Sequence, residues 1–166
     1  MSLYTPLFKA LNDENVQYII VGGLATVLHG YARFTADIDL VINLNQAEAE
    51  KAIKVITSLG LKPSVPVDPM QFTDKAIRDS WSNDKNMLVF SFFDPDNPLM
   101  ILDVFIREPF PFDEMLKRIV HMNLGELSVP VCAINDLIEM KKKAGRPKDL
   151  EDIKYLESLQ NSKNED

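Results

Sequence analysis

Two apolar runs, MLVFSFF (87–93) and LMILDVFI (99–106), are separated only by DPDNP. Their β-branched and aromatic content reads as strand. Five residues cannot make the crossover that a parallel pair requires, so these strands must run antiparallel. A purely parallel, doubly wound sheet is thereby excluded. Further strands are expected at 16–21 (VQYIIV), 36–42 (ADIDLVI) and 126–131. Helical spacing predicts helices over 5–15, 24–30, 46–59, 111–121, 135–144 and 148–160, with another from Asp68-Pro69 to Arg78. The mixture is α+β, a mixed β-sheet flanked by helices.

Helix boundaries follow from capping chemistry. Thr5 is placed to cap the first helix, and Asn45, with Glu48 three residues later, the third. Asn135 is the expected cap of the sixth, with Gly60 and Gly145 just past helix ends. Three prolines make 61–69 an irregular edge. His121 is expected at the end of the 111–121 helix, favouring its dipole. A chain of 166 residues can bury about 70% of its unfolded surface, enough for one core. A single domain is expected over 1–160, with 161–166 as a frayed tail.

The single Cys132 excludes a disulfide framework and a cysteine zinc site. No apolar run nears the ~20 residues of a membrane span, and the first residues do not read as a signal peptide. A cytoplasmic location with no membrane partner is expected. Net charge is −7, yet KKKAGRPK (141–148) carries five basic residues and no acidic one, leaving the rest at −12. A broad nucleic-acid coat is excluded by that balance. One basic patch on an acidic body suits a compact anion such as a nucleotide, or a solvated helix end.

Asp37 and Asp39 are two apart in a strand, so their carboxylates leave the same face while Ile38, Leu40 and Ile42 leave the other. Two like charges ~6 Å apart repel by roughly 2–3 kcal/mol at an effective dielectric near 20. Either the pair is a solvated strand end, or a divalent cation balances it. Oxygen ligands favour Mg²⁺ or Mn²⁺. Asp103 interrupts an apolar strand, which is costly unless it pairs with an arginine or binds metal. Gly22-Gly23 follows a strand and opens a helix, which serves a tight turn or the close approach of a phosphate. On the 135–144 helix Lys141 shares a face with Leu137, and Lys143 is rotated by about 200° from it. Lys141 is thus the lysine expected to face a groove. Phe72 and Trp81 either pack a core or stack a base. His29 serves as a cap or packing group, and Cys132 as a small core residue.

The string VGGLATVLHGYARFTADIDLVI resembles the signature of the nucleotidyltransferase superfamily, which shares its fold with DNA polymerase beta. Asp37 follows Gly23 by fourteen residues, and Asp103 matches the third carboxylate of that signature. LIEMKKKAGRPKDLEDI (137–153) resembles the C-terminal motif of the AbiEii-type toxin subgroup, with Lys141, Arg146, Lys148, Asp149 and Asp152 matching. This resemblance implies transfer of a nucleoside monophosphate from an NTP such as ATP to an acceptor hydroxyl. It implies Mg²⁺ or Mn²⁺ at Asp37, Asp39 and Asp103, with Asp103 also helping to deprotonate the hydroxyl. Gly22 and Gly23 would meet the phosphates, Arg33 and Thr35 the nucleotide or its loop, and Lys141 and Arg146 the phosphate charge. A tRNA end, a protein and a small molecule are all compatible acceptors, and an antitoxin protein a compatible partner. The competing expectation is a non-catalytic binding module that keeps the fold. The chain is short for that subgroup, whose larger toxins carry an added C-terminal helical domain, and the resemblance assigns no role to 68–86.

Overall fold

The computed structural model describes residues 4–32 and 35–165. Helix α1 (Thr5–Asp13) leads to β1 (Tyr18–Val21), α2 (Gly22–Leu28), β2 (Asp37–Ile42) and α3 (Gln46–Ser58). Then come β3 (Lys62–Pro63), a 3-10 turn (Pro69–Thr73), α4 (Lys75–Lys85) and the hairpin β4 (Val89–Asp94) and β5 (Asn97–Phe105). Helix α5 (Phe112–Arg118), β6 (Val120–Leu124), β7 (Leu127–Val131), α6 (Ile134–Ala144) and α7 (Pro147–Glu165) complete the chain.

Among the described residues the strands form one seven-stranded sheet, ordered β3-β4-β5-β2-β1-β7-β6. The β4–β5 pair is antiparallel, as its short loop requires. Strands β2 and β5 are parallel, as are β1 and β7, while β1 and β2 are antiparallel. Each parallel pair is joined through a long excursion that includes helices.

Alternation along the central strands separates core from site. Ile38, Leu40, Leu102, Val104, Phe90 and Phe92 share the wholly buried face. Against it pack Phe72, and Trp81, which stacks on Phe90 with ring centroids 5.0 Å apart. Each fully buried ring contributes about 1.5–3 kcal/mol. Residues 68–86 are therefore a core-covering segment, and Phe72 and Trp81 pack rather than offer a stacking surface. Arg78 ties this segment down, donating from its guanidinium to Phe72 O at 2.7 Å and Leu44 O at 3.4 Å.

Local details depart from expectation for identifiable reasons. The helix expected from Asp68 breaks at Asp74, whose extended backbone and carboxylate cap α4 at Ala76 N. Tyr4, not Thr5, precedes α1 as its cap residue, without a side-chain cap bond. Asn45 accepts from Ala47 N, but its own N–H goes to Asn43 Oδ1, so Glu48 closes no reciprocal capping bond. Asn135 lies inside α6, which starts after Ala133, and accepts from Gln160 of α7. His121 belongs to β6, because α5 stops at Arg118 and a Gly125-Glu126 turn folds β6 onto β7. Glycine at the first turn position with φ +62° suits such a tight hairpin. The expected frayed tail continues α7 as far as Glu165.

Candidate functional site

The carboxylates lie on the sheet face opposite Phe90 and Val104. Parallel pairing of β2 with β5 sets Asp39 directly beside Asp103, and Asp37 beside Ile101. Asp39 and Asp103 are half-buried, while Asp37 is exposed at the strand's start. Asp103 pairs with no arginine or lysine among the described residues. Instead Ser91, its neighbour on β4, donates a 2.5 Å hydrogen bond to Asp103 Oδ1. Among the described residues no arginine partner makes Asp103 structural, and a hydroxyl fixes its orientation. Ser91 carried no signal in sequence, because only the register of the hairpin reveals it.

Burial and charge leave this pair strained. Desolvation first, then the charges of Asp103 and Asp37, push Asp39 up to about 7, against smaller opposing effects of Arg146 and Lys141. Asp103 is raised too, chiefly by burial, with the Ser91 hydrogen bond working the other way. No group of three or more His, Cys, Asp or Glu among the described residues is already gathered into a metal cage. The pair nonetheless has the hard oxygen donors and unbalanced negative charge that suit a divalent cation.

Gly22 is required by this geometry. Its φ is +68°, and a Cβ there would lie 2.3 Å from Asp39 Oδ2. The backbone that opens α2 therefore runs immediately beside the carboxylate. Gly23 is buried in the first turn of α2, and Thr26 locks that turn by donating to Gly22 O at 3.1 Å. Thr35 sits just before Asp37, donating to Asp37 O at 3.3 Å and accepting from Tyr4 Oη through its carbonyl at 3.1 Å. Arg33 lies outside the described residues. His29 and Cys132 have packing roles: Cys132 is buried, and His29 Nε2 is 2.9 Å from Cys132 O.

A cavity of about 580 Å³ opens over the pair. Gly22, Asp39 and Asp103 are at one end, and residues of α6 and the α6–α7 turn form a wall. Lys141 reaches this wall but is only 5% exposed. Its ammonium lies 2.8 Å from Asp152 Oδ2 and 3.8 Å from Asp149 Oδ1. Asp149, 1% exposed, also accepts from Arg146 Nε at 2.7 Å and Nη2 at 3.2 Å. Arg146 itself stays largely open to the cavity. Helical spacing alone had turned only Lys141 toward a groove, yet Lys143 lines the cavity as well. Both lysines belong to the last turn of α6, and the cavity lining takes in both. Lys143 holds its ammonium 5.6 Å from the centre of the Phe110 ring.

No family model matches the chain, and no curated protein matches it in sequence. Solved structures do. The structure of ANT(2'')-Ia with adenylyl-2''-tobramycin superposes with a TM-score of 0.64 at 16% identity, over 98% of this chain and 90% of that one. The lincosamide antibiotic adenylyltransferase LnuA, with lincomycin bound, gives 0.60 at 17% identity, over 93% and 96%. A Thermotoga maritima protein assigned as a nucleotidyltransferase gives 0.58 at 13% identity, over 99% and 92%. The chain has the nucleotidyltransferase fold.

Proposed function

We propose that this chain transfers a nucleoside monophosphate from an NTP to an acceptor hydroxyl. The observation that carries the reading is the register that sets Asp39 beside Asp103, with the backbone of Gly22 against Asp39. Neighbours of the same fold include two adenylyltransferases, by their names or bound product, which supports an NTP as donor.

Asp39 and Asp103, with Asp37 one strand repeat away, would hold Mg²⁺ or Mn²⁺. Such an ion neutralises triphosphate charge and favours ionisation of the attacking hydroxyl. The chain's own groups do the rest. Asp103, oriented by Ser91, accepts the acceptor's proton as its oxygen attacks the α-phosphorus. Pyrophosphate leaves. Gly22 and Gly23 offer backbone N–H groups to the phosphates at a point where a side chain would block approach. Arg146, held by Asp149, faces the growing phosphate charge. Lys141 balances Asp149 and Asp152 behind it. Thr35 holds the approach to Asp37; Arg33 would meet the nucleotide on the sequence resemblance alone.

The chain would act as one domain. The motif at 137–153 supports a toxin-type setting in the cytoplasm with an antitoxin partner. No helix among the described residues is long and apolar enough to cross a membrane.

Thermal shift with Mg²⁺ and each NTP tests this reading. A ligand at 100 times its dissociation constant adds about 2.7 kcal/mol. Stabilisation by at least one NTP, dependent on Mg²⁺ and lost in Asp39→Asn, is expected. A flat response to all four would leave a binding module of the same fold.

A further inference from the structure

The sheet order gives the cavity a direction. Gly22 follows directly on β1, Asp39 is on β2, Asp103 on β5, and β4 lies beyond. If phosphates meet Gly22 and the hydroxyl meets Asp103, the acceptor's body falls on the β4 side. The lining there is apolar: Met87, Leu88, Val89, Phe105 and Ile106, with Met140 on α6. Leu88 is 77% exposed, an unusual expense of apolar surface unless something covers it.

The charges on that lining are mostly spent. Arg107 donates to Asn83 Oδ1 at 3.0 Å and lies 3.9 Å from Asp79. Lys141 is buried against Asp149 and Asp152, and Arg146, paired with Asp149, is already assigned to the phosphates. Glu108 turns one carboxylate oxygen to Phe112 N at 3.2 Å. Lys143 is the cavity cation with no carboxylate within ion-pair distance among the described residues, and it lies over Phe110. A polynucleotide would need a track of available cations, which this wall does not offer.

We propose that the acceptor is a small hydroxyl-bearing molecule with an apolar body and a single acidic group. Its body lies on the β4–β5 wall, and its acidic group meets Lys143. This rests on the nucleotidyltransfer reading and names the substrate class of that site.

Anilinonaphthalene sulfonate, an aromatic body with one sulfonate, serves as the probe, followed by fluorescence titration of the folded protein. One molecule should bind. Leu88→Glu and Lys143→Glu should each weaken it at least tenfold, whereas Leu99→Glu, exposed outside the cavity, should leave it within twofold. Saturating Mg²⁺–ATP should not displace it. Unchanged affinity in both cavity variants overturns the proposal, and so does displacement by ATP, which would make the wall a nucleobase site. Transfer from ATP to tRNA but not to 12-hydroxydodecanoate would overturn it too. The titration needs no nucleotide, so its failure is distinct from failure of the transfer reading. An absent Mg²⁺–NTP shift removes that reading, and the acceptor assignment with it.

Discussion

Asp39 reports on its own surroundings through pH. Burial and the neighbouring carboxylates push it up to about 7 from the ordinary aspartate value of 3.8. The folded state therefore holds this proton more tightly than the unfolded state. The stabilisation is complete below about pH 4 and is lost as pH rises through about 7. Asp39→Asn should thus raise metal-free stability at pH 8, on the order of 2–4 kcal/mol, with little gain near pH 4. Denaturant titrations of both proteins in EDTA at the two pH values check this; an equal difference at both would refute it. Mg²⁺ should stabilise the parent at pH 8 and not the variant. Gly22→Ala makes a second prediction. The left-handed backbone alone costs about 1–2 kcal/mol for a residue with a Cβ, and that Cβ would also displace Asp39 Oδ2. Both stability and Mg²⁺ response should fall, whereas Gly60→Ala, whose Cβ meets open space, should cost stability alone.

The α6–α7 corner is the element that closes the site. Gly145 ends α6 at φ +65°, and Arg146 N donates to Asp149 Oδ2 as α7 begins. Lys141, Asp149 and Asp152 fill the angle between the helices. Lys141→Met withdraws the ammonium from two buried carboxylates and should cost roughly 3–5 kcal/mol. Pairing it with Asp152→Leu should recover much of the loss, and a double-mutant cycle in urea measures the coupling. The elements that were legible in sequence, α3 and the β4–β5 hairpin among them, carry their own local signals: periodicity, a cap, a short polar loop. The D-x-D face was legible for the same reason, since strand alternation is local. The Ser91–Asp103 bond, the spent charge of Lys141 and the open cation of Lys143 were not. Each depends on which distant segments the sheet brings together. The β6 strand was missed because the helix expected over 111–121 ran on through its first two residues, Val120 and His121.

Across the molecule, the site belongs to no single stretch of chain. Asp39 and Asp103 are 64 residues apart in sequence and adjacent in the sheet. Ile20 and Val131, which join β1 to β7, are farther apart still. Contacts of such separation close late, since the entropy of a long loop must be lost before they form. The β4–β5 hairpin, with Trp81 against Phe90, needs only local closure. On refolding, Mg²⁺ binding should therefore return with the slowest phase of Trp81 fluorescence and never ahead of it. Stopped-flow dilution from urea, with and without Mg²⁺, would show the order. The same parallel register bears on synthesis at the ribosome. A nascent chain that has exposed β2 but not β5 holds half a carboxylate pair, and one lacking α7 holds Lys141 without its counter-charges. Competence for the proposed transfer would come abruptly, once α7 has been made, so chains released before it would carry the fold's signature residues with an incomplete site.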